Sequence, residues 1–242
     1  MDVNLKDPSY VKIVNGAQNS YGGSQMWFAP NETARGSKRL TGGGCGLIAM
    51  SDFLLYWGRQ NRNLCPGLVK ALLENEAPDK EPYMRYVRTI DRNFLPVLPA
   101  VGVNGFQLSL AMNLFFLRNK LPLRASWKCF LTSGRMFEQM TEMLQNDLPV
   151  IFSVGPNTPW IFGKKSIGMY KPENNGELKK VDQVSRHYVM LTGIAAGPKA
   201  GQTLLKISSW GRSYFLDYDE YREYVRKTGD TITSSMIYIR KK

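Results

Sequence analysis

The chain has 242 residues, of which 43% are hydrophobic and 21% charged, with a formal net charge of +12. This length and composition allow a sizeable core in one large domain or two small ones, and they exclude a disordered chain. Three unevenly spaced cysteines and a single histidine exclude a disulfide scaffold, a structural zinc site and any reaction that needs two imidazoles.

The composition also bears on location. No apolar run approaches the ~18 residues of a membrane span. The first residues are polar and acidic, whereas a signal peptide begins with basic residues and continues with an apolar run. We therefore expect a cytoplasmic protein in a reducing compartment, although a removed leader would leave no trace in this sequence.

The excess of 32 Lys and Arg over 20 Asp and Glu would suit nucleic acid, anionic lipid or an acidic substrate. The basic residues are scattered, apart from short runs at residues 164–165, 179–180 and 240–242. No nucleic-acid-binding motif accompanies them, so the charge favours a solvated surface.

In chain order, residues 1–44 are rich in Gly, Asn and Ser and predict an extended arm with a short strand at residues 10–14. From Gly46 onward, apolar residues recur at three- and four-residue steps, which predicts a buried amphipathic helix. The same periodicity predicts further helices at residues 67–76, 83–94 and 106–119, and another that begins at Ser133.

After Asn146 the apolar period changes from about 3.6 to about 2, which is typical of strands. Strands are predicted at residues 149–154, 165–170, 178–182, 187–194, 204–209, 214–218 and 235–240, with a hairpin turn at residues 174–176 and a short helix at 219–226. Helices followed by strands predict an α+β fold. We divide it into an N-terminal arm (1–44), a helical lobe (45–148) and a β-rich lobe (149–242) of one integrated domain.

The most informative segment runs from Thr41 through three glycines to Cys45 and Gly46. The glycines let the backbone at Gly43 and Gly44 turn tightly and approach a ligand, which makes them candidates for a substrate cleft. Cys45 would then lie in the first turn of a helix, where free N–H groups stabilise a thiolate. Two alternatives remain: a small buried cysteine, and a phosphate-binding loop that lacks the Lys-Ser/Thr of a P-loop.

His187 begins a predicted strand with the sequence His-Tyr-Val-Met-Leu-Thr-Gly. A lone histidine is more often structural than catalytic. A thiol at a helix start needs a base from elsewhere in the fold, however, and the chain has one imidazole to supply it.

The order of these motifs, with Ser208-Ser209-Trp210-Gly211 as the last, resembles that of the papain-like cysteine peptidases, whose third motif reads Asn-Ser-Trp-Gly. The bacterial branch related to the C39 peptidases is most similar. The resemblance covers residues 40–240 and implies a two-lobed fold. It also implies that Cys45 is the nucleophile, that His187 is its base, and that Trp210 shields the contact between the imidazole and the third residue.

The chain departs from the family pattern at two positions. The resemblance implies that the backbone N–H of Cys45 helps to bind the oxyanion, but Arg39 stands where the family has a glutamine as second donor. Arg39, Thr41 or a displaced Gln25 are the candidates for that role. Ser208 stands where the family has the Asn or Asp that orients the imidazole.

We therefore expect a thiol hydrolase that cleaves a peptide or amide bond through an acyl-enzyme, without a metal or cofactor. The alternatives are a degenerate domain that binds peptide without turnover, and an enzyme that transfers the acyl group to an amine. The net charge makes an acidic peptide conceivable as substrate. The oligomeric state and the role of residues 1–40 are not determined by these patterns.

Overall fold

A computed structural model of the chain describes residues 2–28, 35–75, 77–155, 166–173, 176–228 and 230–242. The fold is mixed α and β with a large antiparallel sheet, which confirms the α+β class. The helices are α1 (Arg35–Gly43), α2 (Cys45–Gln60), α3 (Gly67–Lys70), α4 (Lys80–Asn93), α5 (Gly105–Arg118), α6 (Ser133–Gln145) and α7 (Tyr218–Thr228), with short 3-10 helices at Gln25–Phe28 and Arg62–Leu64. The strands are β1 (Val3–Asn4), β2 (Lys12–Asn15), β3 (Gln18–Tyr21), β4 (Leu123–Lys128), β5 (Val150–Val154), β6 (Ile167–Pro172), β7 (Leu178–Val184), β8 (His187–Ala196), β9 (Thr203–Ser209), β10 (Arg212–Asp217) and β11 (Met236–Lys241).

The large sheet has the strand order β4-β11-β5-β8-β9-β10-β6-β7, and β2 and β3 form a separate hairpin. Strand β8 lies at the centre of the sheet. Its first half pairs with β5, where Val154 is opposite His187, and its second half pairs with β1, where Val3 is opposite Ile194. The N-terminal strand is thus built into the sheet beside the strand that carries the histidine.

The predicted change of period near residues 146–149 coincides with the end of α6 and the start of β5. The sheet nevertheless recruits one strand from each of the two preceding segments, β1 from the predicted arm and β4 from the predicted helical lobe. These pairings join all three predicted segments of the chain in one sheet.

Two local predictions need correction. Helix α1 occupies a part of the chain that was predicted to be an extended arm, because Gly-rich composition favours loops but does not forbid a helix that packs well. The helix predicted at residues 67–76 ends at Lys70. In the predicted hairpin turn, residues 174 and 175 lie outside the described residues, as do residues 164 and 165 of one basic run.

Helix α2 is the centre of the core. It is buried continuously from Gly46 to Gly58 and packs against β5 and β8 on one side and against α4 and α5 on the other. A helix enclosed in this way is apolar on all sides, so a polar residue within it requires a specific partner. Within the described residues, no helix combines the length and apolar character needed to cross a membrane.

Candidate active-site cleft

A narrow cleft separates the start of α2 from the adjoining ends of β8 and β9. It is small, with a volume of about 20 Å³, which is room for about one water molecule. The described residues that line the cleft are Gly23, Gln25, Cys45, Ile48, Ala49, Asp52, His187, Tyr188, Met190, Ser208, Ser209 and Trp210. The fold thus brings Cys45 and His187, which are 142 residues apart in the chain, to one cavity.

Gly44 determines where Cys45 lies. Its N–H donates to the carbonyl of Leu40 (2.9 Å), and its own carbonyl accepts from Ile48 N–H (2.9 Å), so α1 continues almost directly into α2. A Cβ at Gly44 would overlap the Leu40 carbonyl oxygen, which makes glycine necessary at this junction. Cys45 is consequently the first residue of α2, as predicted.

The glycines themselves do not line this cleft. Gly43 is the last residue of α1 and packs closely against Gly102, whose Cα would lie 2.9 Å from a Cβ at Gly43. Neither Gly43 nor Gly44 is among the residues that line the cleft. In the structure they join two helices, and their contact with a substrate stays a prediction.

The electrostatic environment of Cys45 differs from the one predicted for a helix start. The backbone N–H groups of Cys45, Gly46 and Tyr188 lie within hydrogen-bonding reach of the thiol and act to lower its pKa. Burial acts in the opposite direction and has the larger effect, so the pKa of the Cys45 thiol is raised. The Cys45 side chain is therefore a neutral thiol, and not the thiolate that its place at a helix start predicted.

His187 begins β8 directly after Arg186, whose φ of 51° is in the left-handed region. The imidazole Nε2 lies 2.9 Å from the hydroxyl oxygen of Ser209, and the ring stacks on Trp210 with centroids 4.8 Å apart. Burial lowers the pKa of His187 from 6.5 to about 4. The imidazole is thus neutral at pH 7, with Nε2 beside the Ser209 hydroxyl.

Trp210 and Gly211 form the two-residue turn between β9 and β10, with φ values of 49° and 76°. Positive φ at both positions is the geometry of a type I′ hairpin turn. A tryptophan in this conformation is strained, and strain of this kind clusters at functional sites. The turn holds the indole stacked on the imidazole, and the shielding role that the resemblance implied for Trp210 stays a prediction.

Ser208 does not orient the imidazole, and this prediction is corrected. Ser208 lines the cleft, but its hydroxyl donates to the backbone carbonyl of Tyr21 at 2.6 Å. The hydroxyl beside the imidazole belongs to the next residue, Ser209. Successive residues of a strand point to opposite sides, so a shift of one position decides which serine faces His187.

The three candidates for the second oxyanion donor have different surroundings. Arg39 binds Asp91 through both terminal nitrogens (2.7 and 2.5 Å) and the Val97 carbonyl (2.7 Å), and it does not line the cleft, so this candidate is corrected. The Thr41 hydroxyl donates to the Ser37 carbonyl within α1.

Gln25 lines the cleft, and its side-chain amide donates one hydrogen bond to the Thr41 carbonyl at 2.8 Å. An amide nitrogen carries two protons, so the Thr41 bond holds the group in place and uses one of them. Of the three candidates, Gln25 is the one that lines the cleft together with Cys45.

Asp52, which lies seven residues after Cys45 in α2, was not among the predicted site residues. Positions i and i+7 share one face of a helix, and both side chains line the cleft. Asp52 is 1% exposed, and burial raises its pKa to about 7 even though Tyr83 Oη donates to Oδ1 (2.6 Å) and Gly23 N–H to Oδ2 (2.9 Å). An acid within an apolar helix was the signal that could have revealed it.

Among the described residues, no group of three or more His, Cys, Asp or Glu side chains is arranged to hold a metal ion. The three cysteines are free and half-buried. Cys65 and Cys129 lie outside the cleft that Cys45 and His187 share.

No protein-family model, no curated protein and no solved structure matches this chain.

Proposed function

We propose that this chain is a thiol hydrolase of papain-like fold that cleaves a peptide or amide bond through an acyl-enzyme on Cys45. The observation that carries the proposal is the cleft in which a helix-start thiol faces the strand that begins with the chain's one imidazole. The Ser209 hydroxyl and the Trp210 ring hold that imidazole on two sides. A nucleophile, a base and a group that orients the base are the minimal constellation for this chemistry.

In the proposed reaction, the Cys45 sulfur attacks the carbonyl carbon while its proton passes to Nδ1 of His187. The carbonyl oxygen becomes an oxyanion, which accepts hydrogen bonds from the Cys45 N–H and the Gln25 amide. The C–N bond then breaks, and the imidazolium gives its proton to the departing amine. Water, deprotonated by His187, attacks the thioester and releases the acid and the free thiol.

The pKa directions favour a neutral resting pair. A raised pKa at Cys45 and a lowered pKa at His187 both disfavour a thiolate–imidazolium pair before substrate binds. Proton transfer in the proposed mechanism therefore accompanies the attack and does not precede it.

The walls of the cleft bear on the substrate. Among the described residues that line it, the ionisable side chains are Cys45, Asp52, His187 and Tyr188, and none of these is a Lys or Arg that would pair with a substrate carboxylate. The acidic peptide suggested by the net charge thus gains no support from the cleft, and we propose a peptide or amide without a required acidic group.

A peptide-binding domain without turnover is the second candidate. It is favoured by the neutral thiol and by the Ser209 hydroxyl as the group that contacts the imidazole, since a hydroxyl rotates freely and holds the ring less firmly than an amide would. This reading keeps the same cleft and the same residues.

Acylation by p-nitrophenyl acetate separates the two candidates. The hydrolase should release a burst of p-nitrophenol, gain one acetyl group on the Cys45 peptide and then turn over, and Cys45→Ala and His187→Ala should abolish the burst. A wild-type protein that acquires no acetyl group on Cys45 would contradict the proposed hydrolase and favour the binding domain.

A further inference from the structure

The backbone that follows β3 leads to Gln25, the first residue of the 3-10 helix Gln25–Phe28, whose side chain lines the cleft. The contacts that fix this backbone therefore also fix the position of Gln25. The pairing of β3 with β2 ends at Tyr21, and the next residue, Gly22, donates its N–H to the Val11 carbonyl (2.7 Å) at the start of the segment of residues 22–25. Further along it, Gly23 N–H donates to Asp52 on α2, and the Gln25 amide donates to the Thr41 carbonyl on α1.

The contact with Asp52 is close and specific. Gly23 N–H donates to Asp52 Oδ2 at 2.9 Å. A Cβ on the preceding residue, Gly22, would lie 2.7 Å from the same oxygen and would overlap the Ser208 hydroxyl. Gly22 has a φ of 81°, which favours glycine. The segment is thus pressed against Asp52 with no room for a side chain between them.

Asp52 is itself held on its other oxygen. Tyr83 Oη donates to Oδ1 at 2.6 Å, and Tyr83 belongs to α4, which packs against α2. One carboxyl oxygen of Asp52 therefore accepts a hydrogen bond from α4 in the helical core, and the other accepts one from the segment that leads to Gln25. A buried carboxyl group requires such partners, but burial alone does not explain why a helix in the core carries an acid that opens onto the cleft.

We propose that Asp52 is a positioning residue that holds residues 22–25 against α2 and thereby keeps the Gln25 amide at a fixed position relative to the Cys45 thiol. The nucleophile and the anchor of the oxyanion donor are then two turns apart on one face of one helix, and a rigid element fixes their separation. This inference rests on the proposed function, because it gives Asp52 a role in stabilising the oxyanion of the acylation step.

The test compares two reactions of Cys45. Acylation by p-nitrophenyl acetate passes through an oxyanion, whereas alkylation by iodoacetamide displaces iodide and forms none. The ratio of the two rates therefore reports oxyanion stabilisation separately from thiol reactivity. We expect Asp52→Asn to lower acylation about 10-fold and to change alkylation less than about 3-fold, because one oxyanion-hole donor contributes up to 10²–10³ in rate.

A double-mutant cycle with Gln25→Ala decides whether Asp52 acts through Gln25. Gln25→Ala alone should lower the same ratio, and Asp52→Asn should have no further effect in the Gln25→Ala background. If Asp52→Asn leaves acylation unchanged, lowers both reactions equally, or lowers the ratio further in the Gln25→Ala background, the inference is wrong.

Asp91 provides a matched control, since it is also a buried helical aspartate that accepts from a backbone N–H, that of Val97 at 2.9 Å. Asp91→Asn should lower the melting temperature without lowering the ratio, and a ratio that falls as far as in Asp52→Asn would overturn the inference. If Asp52→Asn does not fold, Tyr83→Phe takes its place, with a smaller loss of the ratio that also vanishes in the Gln25→Ala background. A wild-type Cys45 that is alkylated but never acylated would instead refute the proposed function, which distinguishes the two failures.

Discussion

The Nε2 atom of His187 lies 2.9 Å from the hydroxyl oxygen of Ser209, while the hydroxyl of the neighbouring Ser208 donates to the carbonyl of Tyr21. Two adjacent serines of one strand thus have separate tasks. One contacts the imidazole, and the other ties the end of β9 to the last residue of β3.

This division predicts different effects for two similar substitutions. Ser209→Ala should lower the rate of acylation by p-nitrophenyl acetate about 10-fold, since an orienting contact contributes on the order of 1.4 kcal/mol. Ser208→Ala, the matched control, should change the rate less and the melting temperature more. Equal losses in the two variants would contradict the assignment of Ser209.

Acylation should distinguish the three cysteines. Cys45 shares its cleft with His187, whereas Cys65 and Cys129 do not, although all three are half-buried. An activated ester should therefore acetylate Cys45 before the other two, as read by peptide mass mapping. Loss of that preference in His187→Ala would support the imidazole as base, and faster acetylation of Cys129 in the wild type would count against the site.

On the acid side of its pH profile, the rate of acylation should fall at a lower pH than a free imidazole would give. The base form of His187 is needed to accept the thiol proton, and burial lowers its pKa from 6.5 to about 4. We expect the rate of acylation to persist below pH 6 and to fall as the pH approaches about 4, with an apparent pKa that belongs to the Cys45–His187 pair. A limb at pH 6.5 or above would show that the imidazole is exposed in solution.

Two buried groups should shape the stability of the fold in opposite directions between pH 4 and 6.5. Asp52 has a folded pKa of about 7 against 3.8 unfolded, so its contribution to the free energy of unfolding falls as the pH rises through this range. His187 has a lowered folded pKa, so its contribution rises over the same range.

Single substitutions should reveal each of these two pH dependences when the free energy of unfolding is measured by urea titration at several pH values. Asp52→Asn should gain stability with rising pH, by up to about 1.4 kcal/mol per pH unit relative to the wild type, and His187→Gln should lose it by a similar amount. The same pH dependence in both variants and the wild type would show that neither group changes its pKa on folding.

The N-terminal strand should be essential to the fold. Leu5 is buried, and its N–H donates to the Thr192 carbonyl on β8. Leu5→Ala should lower the free energy of unfolding by about 2–4 kcal/mol, the usual range for a leucine removed from a core. The exposed Lys6 offers a control, since Lys6→Ala keeps the backbone bond to Asp147 and should change stability by less than about 0.5 kcal/mol. An unchanged Leu5→Ala variant would favour a detachable arm.

Local sequence patterns predicted much of the fold and the two central residues of the site. The three- and four-residue spacing of apolar residues located α2, α4, α5 and α6, and alternation located the strands after residue 149. Both patterns are properties of neighbouring residues, because a helix or strand that buries one face repeats its apolar side chains at the period of its own backbone. Cys45 at a helix start and His187 at a strand start follow from the same local patterns.

The tertiary structure decided what depends on distant parts of the chain. The choice of Ser209 over Ser208 depends on the register of β9 against β8, in which Ser208 is opposite Met190, and the pairing of β1 with β8 joins residues about 190 positions apart. The ionisation of Cys45 and His187 was also beyond the sequence, since a helix start stabilises a thiolate only where water or counter-charges reach it. Burial at the junction of α2 with the sheet outweighs that local effect, and burial arises from every element that packs around the cleft.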